Sequence, residues 1–191
     1  MDPTAPGATA LKEWGAVGRA LLAGRQCLLL RGGGVHERRF TVGAPRFLLF
    51  PTVAHSHAEA VRPEHRDLLA GGAEDSTDER VVVRCALEVV EALPVARPEG
   101  LSALSPLHVW TQESVRGRLD FRPRHRLTAV VVRARALPEP QVVPRRPEHR
   151  GCSSWVELDL GPELAAAPST APALDDDRLL AAVDAVRAAV G

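Results

Sequence analysis

The sequence predicts an α+β domain with a mixed or mainly antiparallel sheet, an N-terminal helix, one or two short helices and a C-terminal amphipathic helix. Three observations carry that expectation. Val81, Val83, Cys85, Leu87 and Val89 alternate along Arg80 to Leu93, the period of a strand. Leu179, Leu180, Val183, Val186 and Val190 share one helical face behind Asp175-Asp176-Asp177, acids well placed at the positive end of a helix. Between them, helix-like and strand-like segments lack the regular alternation of a parallel βαβ fold.

In chain order, Leu11, Trp14, Val17 and Ala20 or Leu21 fall at helical spacing, so Leu11 to Leu22 reads as a helix stopped by Gly24. Gln26 to Leu30 reads as a short strand ended by Gly32-Gly33-Gly34. Arg39 to Val42 and Arg46 to Phe50 read as two more strands, with Pro51 ending the second. Pro63 suits the first position of a short helix through Leu69, closed at Gly71, and Gly71 to Glu79 reads as a polar loop. Leu101 to Leu104 gives one helical turn. Thr111 is an N-cap for a helix to about Leu119, with Glu113 in its first turn. Leu127 to Leu137 is a strand, and the four prolines between Pro138 and Pro147 require an extended or looped path. Ser153 to Leu158 reads as a strand, with a helix start capped by Ser154 and Glu157 as the alternative. Residues 8–160 thus form the domain, 161–173 a Pro/Ala linker and 174–190 the closing helix.

Composition bounds the class. No apolar run reaches the roughly 18–20 residues of a membrane span, and residues 1–10 lack a basic stretch followed by an apolar one, so no membrane or secretory segment is expected. Cys27, Cys85 and Cys152 are odd in number and far apart. That points to a reduced, cytoplasmic protein, with Cys27 and Cys85 as small buried hydrophobes. Twenty-three arginines stand against one lysine, Lys12, so the choice of arginine says little by itself. Its clustering says more. Arg116, Arg118, Arg122, Arg124, Arg126, Arg133 and Arg135 fall within twenty residues against the one acid Asp120, and an acidic tail offsets them.

Several stretches, in order, resemble the bacterial domain-of-unknown-function family DUF1802. They are Ala10-Leu-Lys-Glu-Trp14, Leu28-Leu-Leu-Arg31, Phe47-Leu-Leu-Phe-Pro-Thr52, Pro63-Glu-His65, Trp110-Thr-Gln-Glu-Ser-Val115 and Gly151-Cys-Ser-Ser-Trp-Val-Glu-Leu158. They cover most of residues 10–160 and leave the helix after Pro172 outside. The resemblance implies a bacterial, soluble, single-domain protein and brings no activity with it.

Two chemistries follow from the residues, and neither fixes a function. The arginines, displayed two apart on one side of an extended segment, suit binding of nucleic acid or another polyanion, with Trp110 or Trp155 as a base-stacking ring. The alternative is a metal-dependent hydrolase or nuclease. Its ligands would be His55 and His57, which point to one side of an extended segment, with Glu64, Glu113 or Glu157 as carboxylates. Lys12 and Glu13 are of the right type for such a site. Arg31-Gly32-Gly33-Gly34 lacks the spacing of a phosphate loop and reads as a turn, and Cys152 beside Arg150 as a turn residue or, less simply, a thiolate. No cofactor is indicated strongly. A third expectation is a protein partner docked by the acidic terminal helix.

Overall fold

The computed structural model describes residues 7–33, 39–53, 57–120, 127–166 and 170–191, with His57 by its backbone alone. The segment expected as one N-terminal helix is two elements: β1 (Ala8–Trp14) is a strand, and α1 (Gly15–Leu22) starts directly after it. Their apolar spacing looks continuous because Leu11 from the strand and Val17, Ala20 and Leu21 from the helix enter the same core. Gly24 does end α1, with φ +65° and with Gly24 and Arg25 N–H groups donating to the Leu21 and Ala20 carbonyls.

β2 (Leu28–Arg31) follows, then β3 (Arg46–Thr52), which runs through Pro51 instead of ending before it. Pairing of β3 with the next strand stops at Leu48, so Pro51 needs no N–H on that side. Arg39 to Val42 is no strand beyond a bridge at Arg39. α2 (His57–Ala60) and a 3-10 turn at Pro63–His65 precede α3 (Asp67–Glu74), which continues past Gly71 where a stop was expected and fills the first half of the presumed loop. β4 (Arg80–Pro94) is the long strand its alternation predicts. A 3-10 stretch, Pro98–Leu107, leads to α4 (Gln112–Asp120), capped by Thr111, whose Oγ1 accepts the Ser114 N–H at 3.1 Å.

β5 (Thr128–Pro144) is longer than expected and holds three of the prolines. The register with β4 jumps between Cys85↔Ala136 and Val83↔Gln141, so Pro138 and Pro140 lie in a bulge where ladder donors are not required. β6 (Trp155–Leu158) is a strand, and α5 (Glu163–Ala166) occupies part of the expected linker. α6 (Asp176–Val190) closes the chain with Asp175 as N-cap, its carboxylate accepting the Arg178 N–H at 2.8 Å.

The sheet is mixed, ordered β2-β5-β4-β3-β1-β6, with β1 and β3 parallel and the other pairs antiparallel. Both faces are buried, which is why its strands read as apolar runs. Phe47 and Leu49 enter the larger core with α1, α4 and α6, whereas Leu48 and Phe50 enter a smaller one beside Ala165 of α5. The inner face of α6, Leu179, Ala182, Val183, Val186 and Val190, belongs to the larger core; Leu180 is its exposed large hydrophobe.

Two contacts fix this arrangement. Glu13 of β1 and Arg31 of β2 stand on opposite sides of the strand order, yet their carboxylate and guanidinium meet at 2.9 Å, and Arg31 also reaches Ser154 Oγ at 3.2 Å. The sheet must curl for them to meet. Elsewhere, α1 crosses α3 so closely that a Cβ on Gly72 would lie 2.4 Å from the Ala16 nitrogen. Beside that crossing, buried Asp75 accepts from Arg19 Nε at 2.7 Å and Arg84 Nε at 2.8 Å.

Gly72→Ala is therefore expected to cost about 1–3 kcal/mol by overpacking a backbone contact, read from chemical denaturation midpoints. Arg31→Met strands a carboxylate that is 3% exposed and is expected to cost about 3–5 kcal/mol. Pairing it with Glu13→Leu should restore only part of that loss, because Arg118 then loses the nearby carboxylate that offsets its charge.

Candidate functional site

The curl brings the end of β1, the end of β2 and one face of α4 together around a cavity of about 390 Å3. Its walls include Glu13, Trp14, Arg31, Gly32, Gly117 and Arg118. Ser114, Gly117 and Arg118 fall at helical spacing, so a single face of α4 supplies one wall. Gly117 leaves that wall low: a Cβ there would meet nothing within 4 Å.

Glu13 is buried and doubly held, by Arg31 and by the Trp14 N–H at 2.9 Å. Arg31 lies over the Phe40 ring at 5.4 Å, and its Nε is buried with no partner among the described residues. Arg118 donates to the Leu30 carbonyl at 2.9 Å and covers the Trp110 ring at 4.4 Å and the Trp14 ring at 5.5 Å. Trp14 meets the fully buried Trp110 edge-on at 4.5 Å. Burial lowers the Arg118 pKa, with Glu13 opposing the shift and Arg31 adding to it. Arg31 pairs with the buried carboxylate and Arg118 stands near it, so two guanidinium groups and one carboxylate meet at an aromatic-walled position.

The arginines singled out from sequence divide in fate. Arg122, Arg124 and Arg126 lie outside the described residues, and Arg116 is exposed on α4. Arg118 is the cation stacked on the tryptophans. Arg133 pairs with Asp176 at 2.6 Å and Glu88 at 3.5 Å, and Arg135 donates to the Thr170 carbonyl where the chain approaches α6. Of the two rings considered for stacking, Trp110 is fully buried, and Trp155 packs against Phe40 and Phe47 while donating to the Thr41 carbonyl. Trp14, which packs against the larger core, is the one at the cavity.

Of the presumed metal ligands, His55 lies outside the described residues and His57 is described by its backbone alone. Glu64 pairs with Arg62 at 2.8 Å, Glu113 is exposed in the first turn of α4, and Glu157 accepts from Thr9 Oγ1 at 2.9 Å. Among the described residues, no three His, Cys, Asp or Glu side chains are placed to hold a metal ion. Lys12 points away from Glu13, as neighbours on a strand must, and donates to the Arg150 and Gly151 carbonyls. Burial, aided by the Arg145 charge, lowers its pKa. Burial likewise pushes the Cys27 thiol up to about 11 and Cys85 up to about 12, whereas Cys152 is exposed.

Sequence reasoning met Glu13 and Arg31 separately and did not join them. It passed over His108 altogether. That residue is 1% exposed, and burial with the charges of Arg62 and Arg118 lowers its pKa to about 4. A histidine near 6.5 when unfolded takes up a proton on unfolding in the window between about 6.5 and about 4. Its contribution is whole above that window and is lost as pH falls through it. Stability is expected to drop by roughly 3 kcal/mol from this group, and His108→Gln should flatten the slope in denaturation at pH 7, 6, 5 and 4.

Among curated proteins, none matches the chain. Solved structures give a distant likeness. ASCH from Zymomonas mobilis is 13% identical with a TM-score of 0.47, covering 85% of this chain and 95% of that one. Two mutant forms of the same protein match similarly, at 13% identity with TM-scores of 0.46 and 0.47. They cover 80% and 85% of this chain and 90% and 98% of those chains. No helix among the described residues is long and apolar enough to cross a membrane. The DUF1802 model, a domain of unknown function, matches residues 10–185, taking in most of α6, which the sequence resemblance leaves outside. With that match over nearly its whole length, the chain belongs to the DUF1802 family.

Proposed function

We propose that the protein binds nucleic acid, in single-stranded form, through the cavity between β1, β2 and α4. The observation that supports this reading is the pair Arg31 and Arg118 facing one carboxylate beside Trp14. A phosphate takes guanidinium donors in a forked geometry, and a neighbouring base takes an aromatic face without regard to sequence. A recessed cation is also screened less by salt than one on an open surface. Residues 121–126, with Arg122, Arg124 and Arg126, connect Arg118 to Leu127, and both of these line the cavity. They supply further phosphate contacts in this reading. Arg133 and Arg135 add potential but hold the chain before α6.

Fluorescence anisotropy with a labelled single-stranded oligonucleotide tests it. Binding should weaken steeply with salt, because each neutralised phosphate releases counterions. Arg122→Ala, Arg124→Ala and Arg126→Ala together should reduce the log–log salt slope by about 2, at about 0.7 per phosphate on a single strand. Binding should also quench tryptophan emission, and Trp14→Phe should remove most of that quench. Absence of binding at low salt would end the proposal, as would an unchanged slope in the triple variant.

A further inference from the structure

We propose that a second cavity, on the opposite face of α4, binds a small carboxylate bearing a short apolar chain, held by His108 and Arg116. The cavity is about 170 Å3, with Leu101, Val115 and Leu119 as its apolar wall and His108, Gln112 and Arg116 among its polar groups. It is distinct from the proposed nucleic-acid cleft. The residues Val115, Arg116 and Leu119 line it, whereas Ser114, Gly117 and Arg118 line the other.

His108 directs the chemistry. Its Nδ1 accepts the Trp110 N–H at 3.2 Å, which assigns the proton of the neutral ring to Nε2. Burial keeps the ring neutral at ordinary pH. Nε2 is buried and has no partner among the described residues, although the residue lines a cavity. A buried donor without an acceptor costs about 1–3 kcal/mol, so a ligand oxygen placed there removes an existing penalty. Arg116, exposed at the same cavity, offers donors and a positive charge. His108 and Arg116 both line this space, and a carboxylate presents two oxygens to two such donor groups.

Size limits the rest. A cavity of about 150 Å3 holds a benzene-sized ligand, so this one takes about six or seven heavy atoms. After the carboxylate, three or four carbons remain to lie against Leu101, Val115 and Leu119. Glu99 at the rim repels a second carboxylate, which favours monocarboxylates over diacids. Nε2 is sealed from solvent, so the ligand needs a side-chain adjustment at the wall, of the kind common on binding. The hydrogen bond then forms away from water, where it is stronger.

Butyrate is a suitable probe for the full chain, with 1-butanol and n-butylamine as neutral and cationic controls. The His108 Nε2 resonance, followed by long-range proton–nitrogen correlation, should shift and saturate with a Kd at or below about 1 mM. Arg116→Ala, a change at an exposed position, should weaken butyrate by at least about tenfold through loss of a charge-assisted bond. His108→Gln should weaken it as well, but the Arg116 variant carries the test if the buried substitution disturbs folding. The proposal is overturned if the resonance does not saturate with butyrate, or if Arg116→Ala binds equally well. It is also overturned if either control binds as tightly, since the space is then only an apolar void. Oligonucleotide affinity reports on the other cavity, so the two ideas can fail separately.

Discussion

The ion pair between Glu13 and Arg31 is the constraint on which the rest depends. β2 and β1 are separated by three strands in the sheet order, and a flat sheet would hold them far apart at about 4.8 Å per strand. The 2.9 Å contact exists only because the sheet curls until those strands face each other. Ser154, just before β6, is drawn to the same guanidinium, so the far edge is tied in too. The pair is costly to desolvate, and its attraction alone does not guarantee a net gain. What it secures is position: Trp14 follows Glu13 and Gly32 follows Arg31, so the recessed cavity is assembled wherever this contact forms.

α4 then divides the space that the curl leaves. Its only fully buried residue among those described is Val115, so the helix is held as much by polar contacts as by apolar ones. Arg118 anchors it to β2 through the Leu30 carbonyl and to β1 through Trp14. The same guanidinium disfavours protonation of His108 from the other side. One helix thus forms a wall of two cavities of different character. One is open, aromatic and cationic, and the other is smaller, with Leu101, Val115 and Leu119 beside the neutral ring of His108 and the charge of Arg116.

Local signals were legible in the sequence, and contacts across the chain were not. The alternation from Val81, the Thr111 cap, the acids that open the last helix and the Gly24 stop all act within a few residues, and each is found in the structure. The β1–α1 boundary was hidden because Trp14 and Gly15 carry no stop signal and Leu11 keeps step with the helix by coincidence of the core. Pro51, Pro138 and Pro140 looked like strand breakers. Strand pairing excuses them, since one lies beyond the β4 ladder and two lie in a bulge. Asp75 seemed part of a polar loop, yet two arginines from α1 and β4 bury it. The cavity shows the same limit. Each of its residues was visible singly, but only the curl reveals that Glu13, Arg31 and Arg118 converge.

Among the described residues, the acidic tail offsets the arginine cluster only in part. Arg133 does meet Asp176, but the carboxylate is 74% exposed, and such surface pairs contribute about 0–1 kcal/mol and are weakened by salt. That pairing lowers the field along β5 without removing it. Arg118 is a different case. It is half-buried against Trp14 and Trp110, with Glu13 the nearby carboxylate that offsets its charge, and no tail residue pairs with it among the described residues. Charges that are buried and under-compensated cost the fold something, and an incoming anion can relieve that cost. In the proposed reading, Arg31 and Arg118 beside Glu13 would therefore contribute most to holding a phosphate.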